Sequence, residues 1–175
     1  MGNAGACALA EGVKVATSLA TIDIDDNDVG DDGVICLANA IKVNKGLTWL
    51  DVNSNSFGVA GLEALADALP AAPAMQSLGL GGVKSGGDED ALAALLNIIT
   101  KSSISALSIS SNKIGDEDIE LLEEALGAGS DLAELDLSSN EISDAGAEAI
   151  QAILETNTKM MAISLTCVNN LRARV

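Results

Sequence analysis

The stretch TIDIDDNDVGDDGV, residues 21–34, carries Asp23, Asp25, Asp26, Asp28, Asp31 and Asp32. Asp23, Asp25 and Asn27 are spaced like the first oxygen ligands of a calcium loop, whose chemistry is ligation of a hard cation by carboxylates, amides and carbonyls. Such a loop also needs a glycine at its sixth position for the sharp turn and a bidentate glutamate at its twelfth, and here those positions hold Asp28 and Val34. The calcium pattern fails, no metal is assigned, and the cluster reads as a solvated acidic rim.

Other chemistries fare no better. The chain has no histidine and no tyrosine, no cysteine beside a base, and no serine in a strained turn. Carboxylates facing one another across an open sheet lack the desolvation that would split their pKa values. GGVKSGGDED, residues 81–90, is glycine-rich but contains neither GxGxxG nor a following GK[ST], so it does not cradle phosphates. The expectation is a non-enzymatic chain without a cofactor.

Twenty-six acidic against nine basic residues give a net charge of −17, which repels nucleic acid and anionic membrane surfaces and favours a protein partner with a basic or amphipathic surface. Cys7, Cys36 and Cys167 are an odd count at distant positions, read as reduced thiols of a cytoplasmic protein. No apolar run reaches the roughly 20 residues of a membrane span, and no signal peptide opens the chain. Met1-Gly2 is followed by Ala6 where a myristoylation site wants Ser or Thr, so lipidation is not expected.

What positions these residues is a repeat. With 175 residues, 48% of them hydrophobic, the chain suffices for one domain, yet one Phe and one Trp leave the core to aliphatic side chains. LATIDIDDN, LTWLDVNSN, MQSLGLGGV, ISALSISSN, LAELDLSSN and MMAISLTCV begin at residues 19, 47, 75, 104, 132 and 160. Each is apolar at offsets 0, 3 and 5, and offset 8 is Asn27, Asn55, Asn112 and Asn140 in four of them. Val83 and Val168 depart from that asparagine ladder, so less regular bends are expected there. The alternation predicts a short strand, and the bend an asparagine whose amide serves unpaired backbone groups.

Between the strands, apolar residues recur four and eight positions after a small or polar one: Gly33, Leu37, Ile41; Gly61, Leu65, Leu69; Ala91, Leu95, Ile99; Asp118, Leu122, Leu126; Gly146, Ile150, Leu154. This spacing predicts a helix with one buried stripe in every unit. Stacked units align strands about 4.8 Å apart with the wider helices outside, so the stack curves. The fold class expected is α/β: a curved solenoid with a parallel sheet of about six strands on the concave face and helices on the convex face. Residues 1–175 form one domain, with the helix of a partial repeat at 1–18, repeats starting at 19, 47, 75, 104 and 132, and a partial repeat at 160–175. Residues 81–90 add a longer glycine-rich loop in the third unit.

The LxxLxLxxN core, the 28- to 29-residue period and LAELDLSSNEISDAGAEAIQAIL resemble the ribonuclease-inhibitor-like leucine-rich repeat family. The resemblance implies a non-catalytic protein-protein interaction module, a scaffold or a subunit of a larger cytoplasmic or cytoskeletal assembly. AIKVNKGLTWLDVNSNSFGVAGLEALADAL and LETNTKMMAISL are also similar to the leucine-rich domain of tropomodulins, which implies actin capping as an alternative. A further alternative, from similarity to Ran GTPase-activating proteins, is regulation of a small GTPase.

Offsets 2, 4 and 6 of each strand should face the concave side. They bring together Trp49, Asp51, Asp23, Asp25, Asn53, Glu134 and Asp136, the expected partner-binding residues. Ser77, Gly79 and Gly81 beside the only tryptophan should leave the sheet nearly bare. Trp49 beside a shallow acidic trough is suited to anchor an apolar side chain plus a lysine or arginine. Both ends lack an obvious cap, so a partner or further chain is expected to cover them; Arg172 and Arg174 offer a small basic contact.

Overall fold

The computed structural model describes residues 1–83, 88–127 and 130–166. It opens on helix α1 (Asn3–Val15) and then alternates strand and helix: β1 (Thr21–Asp23), α2 (Asp31–Val43), β2 (Trp49–Asp51), α3 (Val59–Ala68), β3 (Ser77–Gly79), α4 (Glu89–Lys101), β4 (Ala106–Ser108), α5 (Asp116–Leu126), β5 (Glu134–Asp136), α6 (Asp144–Thr156) and β6 (Ala162–Ser164). A 3-10 turn, Leu69–Ala71, extends α3 at Pro70. The strands form one parallel sheet in the order β1 to β6, each paired with its sequence neighbour. Ile22, Leu50, Leu78, Leu107, Leu135 and Ile163 stand directly opposite one another. They point into the aliphatic core between sheet and helices. Strands about 4.8 Å apart beside helices that need 8–10 Å make this a curved α/β solenoid.

The bends repeat in backbone conformation. The residue at offset 7 is left-handed in each of five units: Asp26, Ser54, Ser111 and Ser139 at φ 50–58°, and Gly82 at φ 75°. Four side-chain-bearing residues in this disfavoured region need compensation, and the following asparagine amide provides it. Asn55 Nδ2 donates to the carbonyls of Val52 and Asn53 in its own bend and of Ile24 in the preceding one, while its Oδ1 accepts from Val29 N–H. Asn140 does the same with Leu137 and Ile109, and accepts from Asn112 and Ile114 N–H. Val83 has no amide to offer, yet its bend keeps the same form. Asn112 of the next unit donates to Leu80 C=O and accepts from Val83 N–H, both at 2.7 Å. Val168 lies outside the described residues, as do residues 84–87 of the glycine-rich loop.

Two further polar sets join the units, and both escaped the sequence pattern. At the return from helix to strand, buried Asn44 donates to Val13 and Ala16 C=O and accepts from Gly46 and Leu47 N–H. Asn157 repeats this with Leu126 C=O and with Lys159 and Met160 N–H. At the helix N-termini, Asp31 Oδ1 accepts from Gly58 and Gly61 N–H of the next unit. Asp116 likewise accepts from Ser143 and Gly146 N–H and from the Ser143 hydroxyl. A Cβ at Gly61 would sit 2.8 Å from the Phe57 ring and 3.1 Å from Asp31 Oδ1, and one at Gly146 2.4 Å from Asp116 Oδ1 and 2.8 Å from Ile142, so the carboxylate and the apolar residue before the helix together leave room for glycine.

The Ser143 hydroxyl, with the Ser143 and Gly146 N–H groups, holds the Asp116 carboxyl below the ordinary carboxylate value against a smaller opposing effect of burial. A lowered folded-state pKa contributes stability above the ordinary value of about 3.8 that is lost as pH falls through the lowered one. Asp116→Ala is expected to cost about 1–2 kcal/mol in urea unfolding at pH 7, after allowance for solvent exposure. The difference from the native chain should shrink as pH falls below the ordinary carboxylate value of 3.8; an equal difference above and below that value would show that the carboxylate charge plays no part.

Two expectations are corrected. The α6 stripe does not end at Leu154, which is 45% exposed; Ile153 is buried in its place, because a helical turn of 3.6 residues drifts off a strict four-residue step. Likewise Asp118 is not a buried stripe position but turns back to accept from Gly115 N–H, and Ile119 fills the core. Second, Cys7 and Cys36 are not free thiols: they form a disulfide between α1 and α2, with their Cα atoms 5.0 Å apart. Their separation of 29 residues is one repeat period, and residues one period apart lie side by side on adjacent helices. Cys167 lies outside the described residues.

Candidate functional site

In strands β1 to β5 the middle residue is buried and its neighbours face the concave side, because consecutive side chains alternate. Across β2 to β6 this surface dips into a trough of about 220 Å³, lined by Trp49, Asp51, Asn53, Ser77, Gly79, Ala106, Ser108, Glu134, Asp136, Ala162 and Ser164. Trp49 and Asp51 of β2 form one side, and Glu134 and Asp136 of β5 the other. Trp49 is half-buried and stands between Thr21 and Ser77 in the sheet register.

The floor at β3 is not bare, contrary to expectation. A Cβ on Gly79 would lie 2.6 Å from Asp51 Oδ1 and 2.9 Å from Asn53 Oδ1. The two polar side chains of β2 therefore lean over the glycine backbone, and Gly79 and Gly81 are buried beneath them. Asn53 Oδ1 is engaged there by Gly81 N–H. Asp51 accepts from Asn53 N–H at 2.9 Å. Its carboxyl is nonetheless pushed above the usual carboxylate range, chiefly by burial and further by the charge of Asp23, against the opposing effect of that hydrogen bond.

Asp23 and Asp25 do not line the trough. Asp23 is paired with Asp51 in the sheet register, and Asp25 follows at the strand end, where both are exposed. Asp23 Oδ1 accepts from Asp25 N–H at 3.2 Å. The Asp25 carboxyl is raised by a side-chain hydrogen bond with Asp23 and by the charges of Asp23, Asp51 and Asp26. On the far side Asp136 accepts from Ser138 N–H at 2.9 Å and from the Ser108 hydroxyl at 3.3 Å. Among the described residues the ion pairs are Lys14 with Glu11 and Lys159 with Asp131, so the trough carboxylates have no cationic partner there.

Asn27, Asn55, Asn112 and Asn140 sit behind this surface. Asn55, Asn112 and Asn140 are buried, and Asn27 is half-buried, with Oδ1 accepting from the N-terminal ammonium of Met1 and Nδ2 donating to Ile24 and Asp25 C=O. Among the described residues no group of three or more histidine, cysteine or carboxylate side chains is gathered to hold a metal, and no helix is long and apolar enough to cross a membrane.

The leucine-rich repeat profile matches residues 15–38, 43–66, 100–122 and 130–150, together more than half of the chain. The chain belongs to the leucine-rich repeat family. This leucine-rich repeat chain resembles the solved structure of leiomodin-1 actin-binding site 2 with a TM-score of 0.50 at 15% identity, covering 87% of this chain and 72% of that one. It resembles an internalin (InlF) from Listeria monocytogenes with a TM-score of 0.52 at 20% identity, covering 91% of this chain and 37% of that one. At these identities the likeness is one of fold. No curated protein matches the chain in sequence.

Proposed function

We propose that this chain is a non-catalytic protein-recognition module of the ribonuclease-inhibitor-like type, serving as a scaffold or subunit of a larger assembly. The helix on every return and the 28- to 29-residue period support that subfamily. The observation that carries the functional reading is the concave trough, where an amphipathic aromatic and carboxylates with no cationic partner among the described residues share one open surface. Trp49 supplies a rigid apolar anchor; Asp51, Glu134 and Asp136, with Asp23 and Asp25 adding charge at the rim, select a basic or amphipathic protein surface. The left-handed serines Ser54, Ser111 and Ser139 lie at the bends outside the trough lining, and the burial-raised Asp51 has no histidine, cysteine or lysine beside it in that lining, which favours binding over catalysis.

Actin is the first specific partner to try. The leiomodin-1 structure is that of an actin-binding site of that protein, and the tropomodulin-like phrases of this chain point the same way. The Cys7–Cys36 bond removes the thiol argument for a reducing compartment, so a cytoplasmic or cytoskeletal place rests on this reading alone. Beside β6, the last strand among the described residues, Met161 is 79% exposed and offers a second apolar contact for a partner.

Affinity capture from native lysate, followed by mass spectrometry and by titration of the captured protein or of purified actin, tests the reading. A stoichiometric partner is expected, with affinity reduced about tenfold or more by Trp49→Ala and by Asp51→Lys, the loss of a central anchor or charge. Binding should also weaken on acidification at a higher pH than for an ordinary carboxylate, because Asp51 and Asp25 take up protons early. A partner that binds both variants as tightly as the native chain would remove the concave face from consideration.

A further inference from the structure

We propose that the Cys7–Cys36 disulfide is a redox latch that holds α1 on the solenoid, and that its reduction releases this helix while the remaining units stay folded. Four observations carry it. Among the described residues α1 packs on α2, and the backbone pairing beside it is one bridge between Gly2 and Asp28. Its buried side chains are Ala6, Ala10 and Val13, whereas α2 buries Val34, Leu37 and Ile41 and α5 buries Ile119, Leu122 and Leu126. Leu9 packs partly buried against the same core, and the fully buried side chains of α1 are smaller than those of α2 and α5.

Its other attachments are at its two ends: Asn3 Oδ1 accepts from Gly30 N–H and Met1 C=O from Asp28 N–H, while Val13 and Ala16 C=O accept from Asn44. The disulfide joins the first half of α1 to α2 between these points, and both cysteines are only half-buried, within reach of a small thiol. Elements with little buried apolar surface are the ones that open locally below global unfolding.

The chemistry is thiol–disulfide exchange with the glutathione couple. On closing, one thiolate attacks oxidised glutathione and displaces one molecule of reduced glutathione. The second thiolate then resolves the mixed disulfide and displaces another, so two thiols lose two electrons and two protons while one glutathione disulfide becomes two thiols. Reduction is the reverse and frees α1 to leave the face of α2.

The test is hydrogen–deuterium exchange of the full chain equilibrated in oxidised or reduced glutathione, with intact mass after alkylation reporting the bond. Reduction is expected to speed exchange of residues 3–15 at least tenfold and to leave residues 116–126 unchanged. The double variant Cys7→Ala, Cys36→Ala should match the reduced chain in both buffers. The proposal is overturned if oxidised glutathione does not form the bond, if α1 exchanges equally in both states, or if residues 116–126 lose protection together with α1. None of these outcomes depends on the concave face, so the interface reading stands or falls separately.

Discussion

Asn140→Ala is expected to lower the unfolding free energy by about 3–5 kcal/mol, a large part of the ~5–15 kcal/mol that holds a domain together. The side chain is 2% exposed, so water does not replace what is removed. Truncation orphans two donors, Asn112 and Ile114 N–H at 2.9 and 3.1 Å, and two acceptors, Ile109 and Leu137 C=O at 2.9 Å. Each buried unsatisfied group costs about 1–3 kcal/mol, reduced where the bend relaxes. The same amide also sustains Ser139 in the left-handed region, a further strain of about 1 kcal/mol once its support is gone. Asn27→Ala is the internal control, since Asn27 is only half-buried. Its cost should stay near 1 kcal/mol. Urea unfolding of both variants checks this, and equal costs would show that burial does not set what the ladder amide contributes.

Leu50→Ala is expected to cost about 3 kcal/mol, within the ~2–5 kcal/mol range of buried leucine truncations, and Leu50→Met less than about 1.5 kcal/mol. Leu50 is fully buried at the centre of β2, opposite Ile22 and Leu78 in the register, so neighbouring strands fix its surroundings and the cavity cannot collapse freely. It also lies between Trp49 and Asp51 in sequence, on the other face of the same three-residue strand. Loss of its packing should therefore loosen the recognition residues as well as the core. Trp49 is the only tryptophan in the chain, which makes its emission a site-specific reporter. Urea unfolding followed by Trp49 emission and by circular dichroism should shift together in Leu50→Ala. A shift smaller than that of Leu50→Met would show that β2 is not clamped by its neighbours.

The architecture was legible because it is written in local periods. An LxL alternation makes a strand, a helical stripe makes a return, and repeating both at 28 to 29 residues leaves stacking as the way to bury the apolar faces. Even Asn55, Asn112 and Asn140 were visible, since each recurs at one offset. The second set, Asn44 and Asn157, carries a weaker signal: it occurs in only two units, three residues before Leu47 and Met160. The left-handed residue at offset 7 was also in plain sight as Asp26, Ser54, Gly82, Ser111 and Ser139, all short side chains compatible with a tight bend.

The sequence by itself therefore determined the repeat, the parallel order of the strands and which side chains share the concave face, because each follows from spacing along one unit. Only the tertiary structure decided what passes between units. Asp51 leaning over Gly79, Asp31 and Asp116 reaching the next helix, and Cys7 bonded to Cys36 each depend on the lateral offset of stacked neighbours. That offset is set by how helices and strands of unequal width pack together, a property of the assembled solenoid that no single repeat contains.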